Sequence, residues 1–267
     1  MSEGLKMPYF TEKHGKQLFY EDKGNGEAII FIHPPGMGRK VFRQQHPLAE
    51  HFRIIFPDLS GNGDSELVTK APDITFYARE IKQLIDHLRI DKVTLVGYSC
   101  GGMVAQEFAL TYPKRVHALV LAGGFPKVDT GGLRFEFLVG MEWVRKSPET
   151  LAKLLSNSHF RDPTIKRDLS EHMAKSSPDA WYEFYNRGFR FDCSRRLRNL
   201  EVPLLLMYGT KEFWINHHVK YYFNCPDTTL VYIERAYHQI PATHWPIFNH
   251  YIKEFLEKNV LSKKAEI

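Results

Sequence analysis

Short apolar runs alternate along this chain with longer stretches in which apolar residues recur every three or four positions. Ala28-Ile29-Ile30-Phe31-Ile32 is the purest run, Val116 to Leu121 repeats it, Phe52 to Pro57 is another strand, and the sheet resumes with Val202 to Gly209 and again with Thr229 to Glu234. A strand without polar alternation is one covered on both faces, the condition of a strand inside a parallel sheet. Between these runs, Ile81, Leu84, Ile85 and Leu88 share one face of a helix predicted over Ile74 to Leu88. A second helix is predicted over Met103 to Leu110, and a third closes the chain from Trp245 to Lys258. The N-terminal stretch reads as a hairpin, Tyr9 to Glu12 and Gln17 to Asp22, around His14-Gly15-Lys16. Strands alternating with helices imply right-handed crossovers, so the expected fold is α/β with a mainly parallel central sheet flanked by helices.

Between about Phe125 and Arg198 the period changes. Leu133 to Arg145, Pro148 to Ser156, Asp162 to Lys175 and Pro178 to Arg187 all read as helices, several with proline at the start, and no strand lies among them. An all-helical cap inserted into the sheet domain follows. The expected organisation is a core in two parts, residues 1–124 and 199–267, interrupted by a cap over residues 125–198.

Composition narrows the functional classes. The 267 residues suffice for one large domain with an insertion, and 43% hydrophobic with 25% charged residues is ordinary for a globular enzyme. An aromatic share of 13% suits a pocket lined by rings. The net charge of +5 is spread without a basic block, which argues against a nucleic-acid partner. No secretory leader and no run of about 18 apolar residues is seen, so a cytoplasmic protein with no membrane partner is expected. Cys100, Cys193 and Cys225 have no metal-ligand spacing, and their odd number argues against a disulfide framework. Neither a metal nor a cofactor is expected. The oligomeric state stays open.

The most informative chemistry is the run Gly97-Tyr98-Ser99-Cys100-Gly101, set between a β-branched apolar strand and an apolar helix. A serine at the apex of so tight a strand-to-helix turn exposes its Oγ and aims helix-start N–H groups at any oxyanion formed there. Small residues two places either side are a steric requirement. Cys100 reads as a small hydrophobe with a useful N–H rather than as a second nucleophile.

With this elbow and this order of elements, the chain resembles the α/β-hydrolase superfamily over nearly its whole length. The resemblance implies an acid after a late strand and a histidine after the final one. Tyr208-Gly209-Thr210-Lys211-Glu212 and Ala236-Tyr237-His238 fit those places, so Ser99, His238 and Glu212 are the expected catalytic residues. Glu212 stands where the family more often has Asp; Asp129 is the fallback acid, and His244 the nearest competitor to His238. A serine hydroxyl needs an imidazole to take its proton, and the imidazole needs a carboxylate to fix its tautomer.

His33-Pro34-Pro35-Gly36 occupies the place of the family's H-G-x-G loop, whose third residue gives one oxyanion N–H. Pro35 falls there and has none. The expected hole therefore combines the Cys100 N–H with that of Gly36 or Met37; with Cys100 alone it would lose roughly 2.7 to 4 kcal/mol of transition-state stabilisation. His33 reads as a brace for the loop. The segment Asp58 to Ser65 matches a family turn except that Ser60 replaces an arginine. Phe125, Phe135, Phe137, Trp143 and Trp214 are the candidate pocket walls.

These residues imply a serine hydrolase acting through an acyl-enzyme on a small, largely apolar ester or related acyl partner, with C–C hydrolase, lactonase and thioesterase chemistry open. Serine in the elbow argues against dehalogenase and epoxide hydrolase chemistry. The alternative is a slow-turnover receptor on the same fold, towards which Pro35 leans.

Overall fold

The computed structural model describes residues 8–262. Eight strands form one sheet: β1 (Tyr9–Thr11), β2 (Gln17–Lys23), β3 (Ala28–Ile32), β4 (Arg53–Pro57), β5 (Val93–Tyr98), β6 (Val116–Ala122), β7 (Leu204–Gly209) and β8 (Thr228–Ile233). Their order is β1-β2-β4-β3-β5-β6-β7-β8. Pairing is antiparallel from β1 to β2 and from β2 to β4, and parallel throughout the rest. Every residue of β3, β5 and β7 is buried, the physical counterpart of their unbroken apolar sequence. The chain leaves β3 for β4 on one side and returns to β5 on the other. Ligands bind at such a switch point, outside the carboxyl ends of the diverging strands, and there the loop after β3 and Ser99 meet.

Helices α1 (Ile74–His87) and α2 (Gly101–Thr111) flank the sheet. Between β6 and β7 lie only helices: α3 (Gly131–Lys146), α4 (Pro148–His159), α5 (Pro163–Met173), α6 (Pro178–Arg190) and a short turn at Leu197–Asn199. Proline opens α4, α5 and α6, where its missing N–H costs nothing. Asp162 caps α5 by accepting from the N–H groups of Thr164 and Ile165 at 2.8 and 3.2 Å. Helices α7 (Ile240–Thr243) and α8 (Trp245–Leu256) close the core. None of the described helices is long and apolar enough to cross a membrane.

The apolar pattern predicts no element between Gly36 and Phe52, yet Arg39–Glu50 winds as 3₁₀ turns with Pro47 inside. Such turns lack the 3.6-residue period that makes a helix legible. Val41, Phe42, Gln45 and Leu48 are buried there, and Gln45 donates to the Pro241 carbonyl at 2.8 Å.

This segment also fastens the cap. Arg39, nearly buried, bonds Asp58, Asp64 (2.9 Å) and Glu21 (2.8 Å), and its Nη1 lies 3.4 Å from His172 Nε2 on α5. His172 in turn bonds Asp58 at 3.1 Å. Burial works to raise the Asp58 carboxyl, but the bond and charge of His172 and the Arg39 guanidinium outweigh it and hold it at about 2. Asp58, Asp64 and His172 have the spacing of metal ligands, yet the guanidinium fills the space among them. Around this centre Lys40 pairs with Asp168, Lys175 reaches Asp64 at 2.7 Å, and Ser176 Oγ donates to the Gly36 carbonyl at 3.0 Å. Asp58→Ala removes the one fully buried carboxylate from Arg39 and His172, leaving the guanidinium only the partly exposed Asp64 and Glu21, and should destabilise the fold by about 3 to 5 kcal/mol. Urea unfolding of the variant measures this, and a loss under about 1 kcal/mol would show the pairing to be dispensable.

Candidate active site

Ser99 follows β5 with φ at +54°, a left-handed backbone that a non-glycine residue holds only under constraint. Its N–H donates to the Ala122 carbonyl and its carbonyl accepts from the Gly102 N–H, both at 2.9 Å. The constraint is close packing. A Cβ on Gly101 would stand 2.2 Å from the Ile32 carbonyl oxygen, and one on Gly97 would stand 2.5 Å from the Gly102 Cα. Ser99 is partly exposed, and its hydroxyl makes no hydrogen bond among the described residues.

Glu212 and His238 meet from two loops. The Thr210 N–H bonds the Ile233 carbonyl at 3.0 Å and the Lys211 N–H bonds the Ala236 carbonyl at 2.9 Å, tying the turn after β7 to the turn after β8. Glu212, buried, has Oε1 in hydrogen-bond contact with His238 Nδ1, while Oε2 accepts from the Gly209 N–H at 3.4 Å. With the Nδ1 proton on that bond, Nε2 is the free basic nitrogen. Burial works to lower the His238 pKa, but the charge and bond of Glu212, with the charge of Glu136, outweigh it and raise it above the usual 6.5. The pair sits over the end of β6. Gly123, with φ at +55°, leaves the room: a Cβ there would stand 2.6 Å from His238 Nδ1 and 2.9 Å from Glu212 Oε1. The Tyr98 ring lies 5.2 Å from the imidazole, so the residue before Ser99 and the residue after its Ala122 partner both touch the His–Glu pair.

Tyr98 and His159 escape detection in sequence because their partner lies in another layer. The Tyr98 hydroxyl bonds His159 Nε2 at 2.8 Å, and His159 Nδ1 bonds the Leu155 carbonyl at 2.7 Å. Burial drops His159 to about 4, so it is neutral at pH 7 and braces Tyr98 from α4. The fallback acid Asp129 pairs instead with His218 at 2.8 Å and with Tyr221. His244 stands at the start of α8 with Nδ1 2.9 Å from Thr243 Oγ1.

The expected oxyanion donors need correction. The Gly36 N–H donates to Asn62 Oδ1 at 3.0 Å, and the Met37 N–H turns back to the Pro34 carbonyl at 3.3 Å. Pro34 and Pro35 have no N–H, so no amide of residues 34–37 is free. Asn62 is fixed by its own bonds to the Leu59 and Ser60 carbonyls, which presents its oxygen to the loop. His33 braces the same junction, with Nδ1 on the Pro34 carbonyl (2.8 Å) and Nε2 accepting from the Leu59 N–H (3.0 Å). Cys100 differs: its N–H opens α2 and makes no hydrogen bond among the described residues. Its thiol is buried, which pushes its pKa far up and leaves it un-ionised.

The five aromatic candidates divide. Phe125 and Phe137 are buried edge to face at 5.9 Å beside the elbow. Phe135 is 67% exposed, because Leu133, Phe137, Gly140 and Val144 form the buried stripe of α3 and Phe135 falls on the opposite face, towards solvent. Trp143 is 37% exposed on the flank of α3. Trp214, 44% exposed, lies against Gly132 and donates its indole N–H to Glu136 Oε1 at 2.8 Å.

A family profile for the alpha/beta hydrolase fold matches residues 27–153. The chain is 28% identical over 263 residues to the 2-hydroxy-6-oxo-6-phenylhexa-2,4-dienoate hydrolase of Burkholderia cepacia, covering 90% of this chain and 91% of that protein. Among solved structures it resembles an esterase from Exiguobacterium antarcticum, with a TM-score of 0.84 at 21% identity over 93% of this chain and 98% of that one. An enol-lactonase from Burkholderia xenovorans superposes with a TM-score of 0.81 at 19% identity, over 94% and 100% of the two chains. A serine held left-handed at the switch point of an eight-stranded sheet, a helical cap, and these matches converge: the chain has the alpha/beta hydrolase fold, and the relatives it matches over most of its length are named as hydrolases.

Proposed function

We propose that the protein hydrolyses small, largely apolar carboxylic esters through an acyl-enzyme, with Ser99 as nucleophile, His238 as base and Glu212 as its orienting acid. The observation that carries this is the contact between His238 Nδ1 and the buried Glu212 carboxylate, beside a serine held at φ +54°. Ser99 Oγ attacks the ester carbonyl carbon as Nε2 takes the hydroxyl proton. The carbonyl π pair moves onto oxygen, and the Cys100 N–H faces that oxyanion. Collapse breaks the C–O bond, and the imidazolium gives its proton to the departing alkoxide. Water then repeats the sequence on the acyl-enzyme, releasing the acid and restoring Ser99.

The relatives support hydrolysis while differing in what they cleave. One is named for a dienoate, one as an esterase, one as an enol-lactonase. An ester fits this site because the triad chemistry needs only an acyl carbon and a leaving oxygen. Slow turnover, as in a receptor on this fold, is the second reading, and the engaged amides of Gly36 and Met37 favour it.

Ser99→Ala should keep the native melting curve and cut kcat for a 4-nitrophenyl ester by at least about 10⁴-fold. Activity retained in that purified variant would remove the serine from the mechanism. Since His238 must be neutral to act, its raised pKa places the acid limb of kcat/KM above pH 6.5, with activity falling as pH drops through it. Glu212→Gln removes the charge that raises it, so the limb should move down while kcat falls roughly 10³- to 10⁴-fold. A limb that stays put would place another carboxylate on His238. Pro35→Gly supplies an N–H at the position where the loop lacks one and should raise kcat, by up to about 10²-fold. Unchanged or reduced turnover would mean that this backbone position does not face the oxyanion.

A further inference from the structure

Helix α3 packs beside the elbow. Phe137 packs on Phe125 at 5.9 Å and on Tyr185 of α6 at 5.6 Å. A Cβ on Gly188 would touch Cys100 Sγ at 2.8 Å and the Phe137 ring at 3.2 Å, so the residue after Glu136 and the residue after Ser99 meet at one small gap. Glu136 itself is held from the other side. Its Oε1 accepts from the Trp214 indole at 2.8 Å, two residues after Glu212. An exposed cap carboxylate thus meets the loop of Glu212 through Trp214, on a helix whose next residue packs beside the elbow. Its charge acts on His238, on Tyr98 before Ser99, and on Tyr185, which also feels Cys100 after it. The groups facing His238 are Glu212 from the core, Tyr98 from β5, neutral His159 from α4 and Glu136 from α3. The nearest cation on α3, Arg134, is taken up over the Phe189 ring at 4.9 Å.

We propose that Glu136 sets the charge preference of the site: a carboxylate bonded to Trp214 on the Glu212 loop disfavours acyl substrates that carry a carboxylate of their own and selects neutral ones. This deepens the ester-hydrolase reading and rests on it. Both a carboxylate-bearing acyl chain and the oxyanion formed in the reaction add negative charge. With Glu212 beneath His238, a further anion entering past Glu136 meets repulsion, and among the described residues no ion pair neutralises Glu136. A neutral acyl chain of the same length escapes that repulsion.

The test compares two near-isosteric esters, 4-nitrophenyl heptanoate and the 4-nitrophenyl monoester of adipate, whose carboxylate is too far along the chain to displace the nitrophenolate readily, in the native protein and in Glu136→Gln. Glutamine keeps the carbonyl oxygen that Trp214 needs and removes only the charge. The native protein should prefer the heptanoate, and Glu136→Gln should raise the adipate-to-heptanoate ratio of kcat/KM roughly tenfold, the order of one unit-charge interaction in a partly solvated site. Added salt should raise the same ratio in the native protein and leave it flat in the variant. A ratio that moves less than twofold in an active protein overturns the proposal. If the native protein turns over neither ester, the ester-hydrolase reading falls on its own, and NMR titration of His238 decides this one. The midpoint should fall in Glu136→Gln, and an unmoved midpoint overturns the placement of the charge.

Discussion

Everything at the site follows from the backbone of one residue. Ser99 at φ +54° can be held only if the strand before it and the helix after it press together, and they do so through bare Cα atoms: Gly97 against Gly102, Gly101 against the Ile32 carbonyl. That contact locks α2 to the ends of β3 and β5, the two strands that flank the switch point. The strain is offset by the N–H bond from Ser99 to Ala122, which brings β6 into register, and Gly123 then leaves space for the imidazole. One left-handed residue thereby sets where the hydroxyl, the Cys100 N–H and the His–Glu pair lie relative to each other.

The His238 imidazole is tuned by opposing effects. Removing an imidazole from water favours its neutral form, as the buried His33 and His159 show by falling to about 4. His238 goes the other way because its Nδ1 rests on a carboxylate. The extra methylene of Glu212 relative to aspartate is absorbed by a tight turn in which the Glu212 N–H bonds the Gly209 carbonyl at 3.1 Å, so the longer side chain still ends at the ring.

Much of this was legible in the chain, for reasons that differ by element. The buried strands betray themselves because a residue covered on both faces cannot be polar, and the elbow because only glycine fits where backbones touch. The helical insertion shows through its proline starts and 3.6-residue spacing. What stayed hidden depends on partners distant in sequence. The Gly36 amide looks free until Asn62, 26 residues on, presents its oxygen. Phe135 and Phe137 look equivalent until α6 decides which side of α3 is covered. Arg39 reads as surface charge until Asp58, Asp64 and His172 surround it.

The cap is fastened unevenly, and that asymmetry bears on the chemistry. At α5 and the start of α6, buried ion pairs and hydroxyl bonds reach across to Arg39, Asp58, Asp64 and Gly36, and the Trp181 indole lies flat against the Gly36 Cα. Over the acid loop, α3 is joined through the partly exposed Trp214 and its single bond to Glu136. Buried charge networks resist local opening because separating them strands charge in a medium that cannot solvate it, whereas a solvated indole–carboxylate bond exchanges readily with water. The firmly held half of the cap shapes the loop that has no amide to spare. The lightly held half carries Glu136, so a carboxylate that acted on the charge of a substrate would sit on the element that can yield to admit it.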